Sequence, residues 1–223
     1  MLKTSYAPGG THPLFLHPFI SFFTPILIGK TVLDVGCGRG LNGSIIRATR
    51  DWSGATLIGM DINKGCLDFC QHYNIYDKLV RANLPRLPFK NKSISFLICT
   101  EVIEHLTKKD GKVLLKEIDR VCKGRAIVST PNLFFETLHG KKEDEHKSVW
   151  SLADFRANGF KVYGLGLRTP LLLNDKLLRV KQALYYLFTP LSYFVPEIGG
   201  VLFCVKDYNN MIYSDDVKST KLG

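Results

Sequence analysis

The stretch TVLDVGCGRGLNG, Thr31 to Gly43, sets an acid and four glycines directly behind an apolar run. Val32, Leu33 and Val35 read as a buried β-strand. Glycines that follow a strand let the chain turn tightly and let a ligand approach the backbone with no Cβ in the way. The turn leads into a helix, whose free N–H groups favour electron-rich ligand atoms. A dinucleotide loop spaces its glycines G-x-G-x-x-G. Here the order is D-x-G-x-G-x-G over Asp34, Gly36, Gly38 and Gly40, with Leu41 where the third dinucleotide glycine belongs. At the end of the next apolar run stands Asp61, in GMDIN, where a carboxylate can accept hydrogen bonds from both hydroxyls of a ribose.

Outward from this loop the pattern alternates. Strand-like runs KTVLDVG, ATLIGMD, KLVRAN, SISFLICT and GRAIVSTPN are interleaved with helix-like GSIIRATRD, NKGCLDFCQHYN and DGKVLLKEIDRVC. The strands are short, nearly continuous apolar runs, as expected where helices cover both faces of a parallel sheet. The alternation predicts a doubly wound, Rossmann-like α/β sheet of seven mainly parallel strands. Past Pro131 comes a long charged connection, then SLADFRANGF as a short helix with Ser151 as its N-cap, then KVYGLGLR and GVLFCVKD as the last strands. One domain over 1–223 is expected: a helical N-terminal extension (1–29), a cofactor-binding core (30–165), an apolar insertion (166–200), and the last strand with a frayed tail (201–223).

The motifs VLDVGCGRG, GMDIN, LPRLPF, SFLICTEVIEHL and IVSTPN stand in the order seen in class I S-adenosylmethionine-dependent methyltransferases. The chain resembles their small-molecule branch (methyltransferase type 11), which includes the ubiquinone-biosynthesis enzymes, over roughly residues 27–165 plus the closing strand. The resemblance implies S-adenosyl-L-methionine as cofactor and S-adenosyl-L-homocysteine as product. It implies that Asp34, Gly36, Cys37, Gly38 and Gly40 surround the methionine part, and that Asp61 holds the ribose. Ile62, Asn83 and Leu84 would then lie about the adenine, and Thr100 beside the sulfonium. Relatives usually have Asp at the position of Asn83; the Asn carbonyl oxygen still accepts a hydrogen bond.

In EVIEHL, Glu101, Glu104 and His105 are spaced i, i+3, i+4, which on a helical turn places them on one face. Such a group can act as a base or bind Mg²⁺ or Mn²⁺. The run also resembles part of the metal site of RNA 3′-terminal 2′-O-methyltransferases, with His146 as the later histidine. Many methyltransferases carry the same run without a metal. The reading adopted here is therefore His105 and Glu101 as catalytic residues with no resident metal. His139 reads as an ordinary loop histidine.

The chain has 30 Lys+Arg against 20 Asp+Glu, a net charge of +10, which suits RNA, an anionic membrane face or an acidic ligand. Its six cysteines form no metal-ligand spacing, so a reducing cytoplasm without disulfides is expected. Neither apolar stretch reads as a transmembrane helix: 13–28 is too short and carries three prolines and His17, and 183–205 is broken by Pro190, Pro196, Glu197 and two glycines. Lys176, Arg179 and Lys181 sit among leucines and tyrosines in an insertion whose apolar positions run nearly all round a helical wheel. With 13–28 it is expected to form a lid over a small, lipid-like or quinone-like acceptor, with peripheral contact at a membrane surface. The alternatives are a metal-assisted RNA 2′-O-methyltransferase and a non-catalytic S-adenosylmethionine-binding protein.

Overall fold

The computed structural model of the chain describes residues 13–132, 145–168 and 178–208. The flanking segments 1–12 and 209–223, most of the charged connection with His139, and the start of the insertion lie outside the described residues.

The apolar runs form one sheet of seven strands in the order β3-β2-β1-β4-β5-β7-β6. In chain order these are β1 (Thr31–Val35), β2 (Thr56–Asp61), β3 (Lys78–Arg81), β4 (Ile94–Thr100), β5 (Cys122–Pro131), β6 (Lys161–Leu165) and β7 (Val201–Asp207). Neighbours are parallel except that β7 runs antiparallel between β5 and β6. The Rossmann-like expectation therefore holds, with one reversed strand. Strand order reverses between β1 and β4, so their carboxyl ends open a crevice where this class of fold takes its ligands.

Successive side chains alternate between two cores, which explains the unbroken apolar runs. Leu33, Val35, Leu97 and Cys99 face one side, packed with Leu114, Ile118 and Trp150. Val32, Phe96 and Ile98 face the other, packed with Leu16, Ile20, Ile46 and Cys70. Helix α1 (Pro13–Phe23), α2 (Leu41–Thr49) and α3 (Lys64–His72) supply the second side; α4 (Lys108–Val121) and α5 (Leu152–Ala157) supply the first. Among the described residues the expected helical N-terminal extension is a single helix, α1, that includes Pro18. Ser151 caps α5 and makes a full capping box with Asp154. All six cysteines are free.

Helix α6 (Leu178–Phe194) follows β6 and runs back along it. The Gly166 amide donates to Thr189 Oγ1 at 3.1 Å, Ser192 Oγ donates to the Gly164 carbonyl at 3.3 Å, and the Tyr163 and Tyr193 rings stack at 4.6 Å. Going forward along the helix is going backward along the strand. Its last turns therefore lie on the sheet, while residues 178–188 run on past the carboxyl edge by about 16 Å at 1.5 Å per residue. Phe19 of α1 packs beside it against Tyr193. The side chains of α6 are not buried all round: Leu187, Leu191 and Phe194, spaced i, i+4, i+7, form an exposed apolar stripe. Among the described residues no helix is long and apolar enough to cross a membrane.

Candidate active site

The loop after β1 uses its three glycines for different reasons. Gly36, Gly38 and Gly40 all have positive φ (68°, 50° and 80°), a conformation costly for any other residue. A Cβ on Gly36 would lie 2.4 Å from Val102, and one on Gly40 would lie 2.8 Å from Ile75, so these two are packed over by the protein. A Cβ on Gly38 would meet nothing within 4 Å. Gly38 is the member of the loop that leaves room for a ligand against the backbone. Gly36 and Cys37 donate their amides to the Met60 carbonyl, which fixes the loop on β2. Cys37 itself is buried.

Asp61 ends β2 beside this loop. One carboxylate oxygen accepts the Gly38 amide and the other the Asn63 amide, each at 2.8 Å. Each oxygen keeps a second lone pair, enough to accept from a pair of ribose hydroxyls. Ile62 beside it is about half exposed, an uncovered apolar surface next to the ribose position. Asn83 is exposed and Leu84 half-buried just past β3, whose Arg81 registers against Asp61. The structure thus brings together at one edge every residue that the sequence placed about the cofactor.

Two members of this site carried no signal in the sequence, Tyr76 and Asn42. Asp34 is 2% exposed, and Tyr76 donates its phenol to one carboxylate oxygen at 2.6 Å. Asn42 donates to the other at 3.1 Å and lies 3.2 Å from the Thr100 hydroxyl, tying β1 to the end of β4. The Tyr76 ring reaches Asp34 through a slot that two glycines create. A Cβ on Gly43 or on Gly59 would stand 2.6 Å from that ring. Burial pushes the Asp34 carboxyl up to about 6, while the Tyr76 and Asn42 hydrogen bonds pull it down and the Asp61 charge opposes them.

EVIEHL departs from the expected helical turn. Glu101 has a φ of 55°, and a 3₁₀ turn spans only Ile103–His105. The reason is packing: Val102 must fold back over Gly36, so the chain turns sharply at Glu101 before any helix begins. Glu101 accepts the Ser129 hydroxyl at 2.8 Å and stays half-buried at the crevice. Glu104 instead turns inward and is 2% exposed. His105 and His146 face one another with ring centroids 5.0 Å apart. What brings His146 there is backbone pairing, since the Lys147 and Ser148 amides both donate to the Glu104 carbonyl, at 2.7 and 3.1 Å.

Comparison with known proteins agrees with this arrangement. A family model described as a methyltransferase domain matches residues 33–129. The fatty-acid O-methyltransferase of Mycolicibacterium smegmatis is 34% identical over 95 residues, 42% of this chain and 33% of that protein. The sterol 24-C-methyltransferase of Pneumocystis carinii is 25% identical over 137 residues, 59% of this chain and 35% of that protein. The chain thus matches only about a third of the length of either relative. Among solved structures, a Haloferax volcanii methyltransferase in complex with the Trm112 activator superposes with a TM-score of 0.60 at 19% identity, covering 87% of this chain and 88% of that one. The sheet order, the glycine loop and the acid ending β2 give the chain the fold of the methyltransferase structures it superposes on. Over residues 33–129, somewhat under half of its length, the chain carries a methyltransferase domain similar to those of the class I S-adenosylmethionine-dependent methyltransferases.

Proposed function

We propose that this chain transfers a methyl group from S-adenosylmethionine to an apolar, lipid-like or quinone-like acceptor. When bound, the cofactor supplies a methyl group on a sulfonium with a good leaving group. Transfer is then mainly a matter of placing the acceptor in line with it. In this reading Asp61 holds the ribose, Ile62 covers one face of the adenine, and Asn83 and Leu84 bound it. Asp34 and the backbone of Gly36, Cys37, Gly38 and Gly40 surround the methionine part. Thr100 stands at the reacting end.

The observation that carries the acceptor class is α6. Its first turns extend past the carboxyl edge of the sheet, and on its later turns the Leu187–Leu191–Phe194 stripe, on the side away from β6, is an uncovered apolar surface of the kind a greasy ligand or a bilayer takes. The relatives named for fatty-acid and sterol methylation support the same class. A net charge of +10 over the whole chain also suits peripheral contact with an anionic bilayer. Glu101, held by Ser129 at the crevice, and His105 are the groups positioned to take a proton if the acceptor begins protonated.

The test is transfer of tritium from labelled S-adenosylmethionine into a cell extract, separated afterwards into lipid, RNA, protein and small polar pools, with Asp61→Ala as background. Counts in the organic phase are expected. Counts confined to RNA would replace the apolar acceptor with a nucleic acid. No counts above background, with cofactor binding intact, would leave a binding protein rather than an enzyme.

A further inference from the structure

We propose that Glu104, His105 and His146 form a binding site for one divalent first-row transition metal ion, beside the cofactor crevice. Each offers a ligand atom, and the three atoms all lie within 4.8 Å of one another. Bonds of about 2.0–2.2 Å to imidazole nitrogen and carboxylate oxygen need ligand atoms at most about 4.4 Å apart. A closure of a few tenths of an ångström brings all three onto one ion. The adopted sequence reading placed no metal here; two structural features turn it.

The first is the state of Glu104. Its carboxylate is buried, yet neither oxygen has a hydrogen-bond partner of ordinary geometry among the described residues. The Thr130 hydroxyl lies close by and is itself buried without a partner. Leaving a carboxylate so placed is costly, and folds avoid it unless something else takes up its lone pairs. A cation does so directly, and the second carboxylate nearby, Glu101, adds negative potential to the same place.

The second is how His146 is held. The two amides that donate to the Glu104 carbonyl fix the 146–148 backbone against the 3₁₀ turn. Trp150, 1% exposed, packs against Gly111 of α4, where an added Cβ would fall 2.2 Å from its ring. His105 and His146 are therefore set side by side, edge to face, by the fold before any ligand arrives, and both remain half-buried. Two imidazoles with one carboxylate make a borderline donor set, which suits zinc, cobalt(II), iron(II) or manganese(II). Magnesium and calcium prefer all-oxygen sites. Three protein ligands leave at least one coordination position open toward the crevice.

The proposal concerns binding, and with an ion bound His105 is a ligand and proton uptake falls to Glu101; its test does not measure methyl transfer. Full-length, tag-free protein, stripped of metal, is titrated with cobalt(II) and followed by visible absorption and by calorimetry. One ion per chain is expected, with d–d bands in the visible region, and magnesium should not compete. His146→Ala and Glu104→Gln should each weaken cobalt binding by at least about 100-fold, while His72→Ala on α3 leaves it unchanged. If Glu104→Gln fails to fold by circular dichroism, His146→Ala, on a surface segment, decides alone. No stoichiometric binding, or unchanged affinity in a folded His146→Ala protein, overturns the proposal.

Discussion

At the scale of single residues, Asp34 and Tyr76 give the sharpest expectation. Asp34 is held up to about 6 by burial, so its contribution to folding is present at low pH and lost as pH rises through that value. Cofactor binding has the opposite sign. The methionine part of S-adenosylmethionine carries an ammonium group, which favours the ionised carboxylate. Affinity should therefore fall by up to about tenfold per pH unit below about 6, measured by calorimetry between pH 5 and 8. Tyr76→Phe removes a hydrogen bond that lowers the Asp34 value, so the midpoint of that pH profile should move upward. A phenol that merely filled space would leave the midpoint where it is. Nothing in NIYD announces this role in the sequence. The slot that admits the ring is made by Gly43 and Gly59, which belong to a helix and a strand remote from Tyr76 in the chain, and only the folded sheet brings the three together. Asp34, Gly38 and Asp61 were legible because their spacing is local to one loop and the next strand end.

At the scale of elements, periodicity served where an element is covered on known sides. The central strands were legible as apolar runs because helices bury both of their faces, the edge strands β3 and β6 only by their place in the alternation, and Ser151 was legible as a cap because its partner Asp154 is three residues away. EVIEHL was not. The spacing i, i+3, i+4 presupposes helical dihedrals, and the positive φ of Glu101 takes that residue out of the turn. The segment 145–150, with no regular structure of its own, is held by the two backbone bonds to Glu104 and by a side-chain anchor. Trp150 packs against α4 and α5, its indole N–H donates to Ser148 at 2.9 Å, and the Lys108 ammonium sits 4.0 Å over its ring. Trp150→Ala should cost about 3–5 kcal/mol in chemical denaturation. It should also release the histidine pair: the nuclear Overhauser coupling expected between the His105 and His146 rings, in edge contact at 5.0 Å between centroids, should be lost. Retention of both stability and ring coupling would mean that the two backbone bonds to Glu104 suffice.

At the scale of the whole molecule, the question is what the exposed stripe on α6 does. Leu187, Leu191 and Phe194 are 70%, 53% and 80% exposed, so replacing them with glutamate takes little packing from the fold. A triple variant should melt within a few degrees of the parent, since exposed substitutions usually change stability by within about 0.5 kcal/mol each. Its KM for an apolar acceptor should rise at least tenfold, because burying even one such side chain against a ligand contributes about 1.5–3 kcal/mol. An unchanged KM would free the stripe from any part in the reaction. Sequence alone placed an apolar insertion here but read it as greasy on every side. The sequence does not say which side the sheet takes; Thr189, Ser192 and Tyr193 take that side by pairing with Gly166, Gly164 and Tyr163.

The reversed strand has a consequence for how the chain comes into being. β7 lies between β5 and β6, so β6 has no place to attach until the segment Val201–Asp207 has left the ribosome. Until then β5 presents an open edge of unpaired amides and carbonyls, the kind of surface that recruits strands from other chains. The nucleoside-binding half, β1 to β5, can assemble early during synthesis, but its margin closes only with the last strand. Translation that halts short of Val201 should give a product that binds chaperones or aggregates, although every cofactor residue named above has already been made.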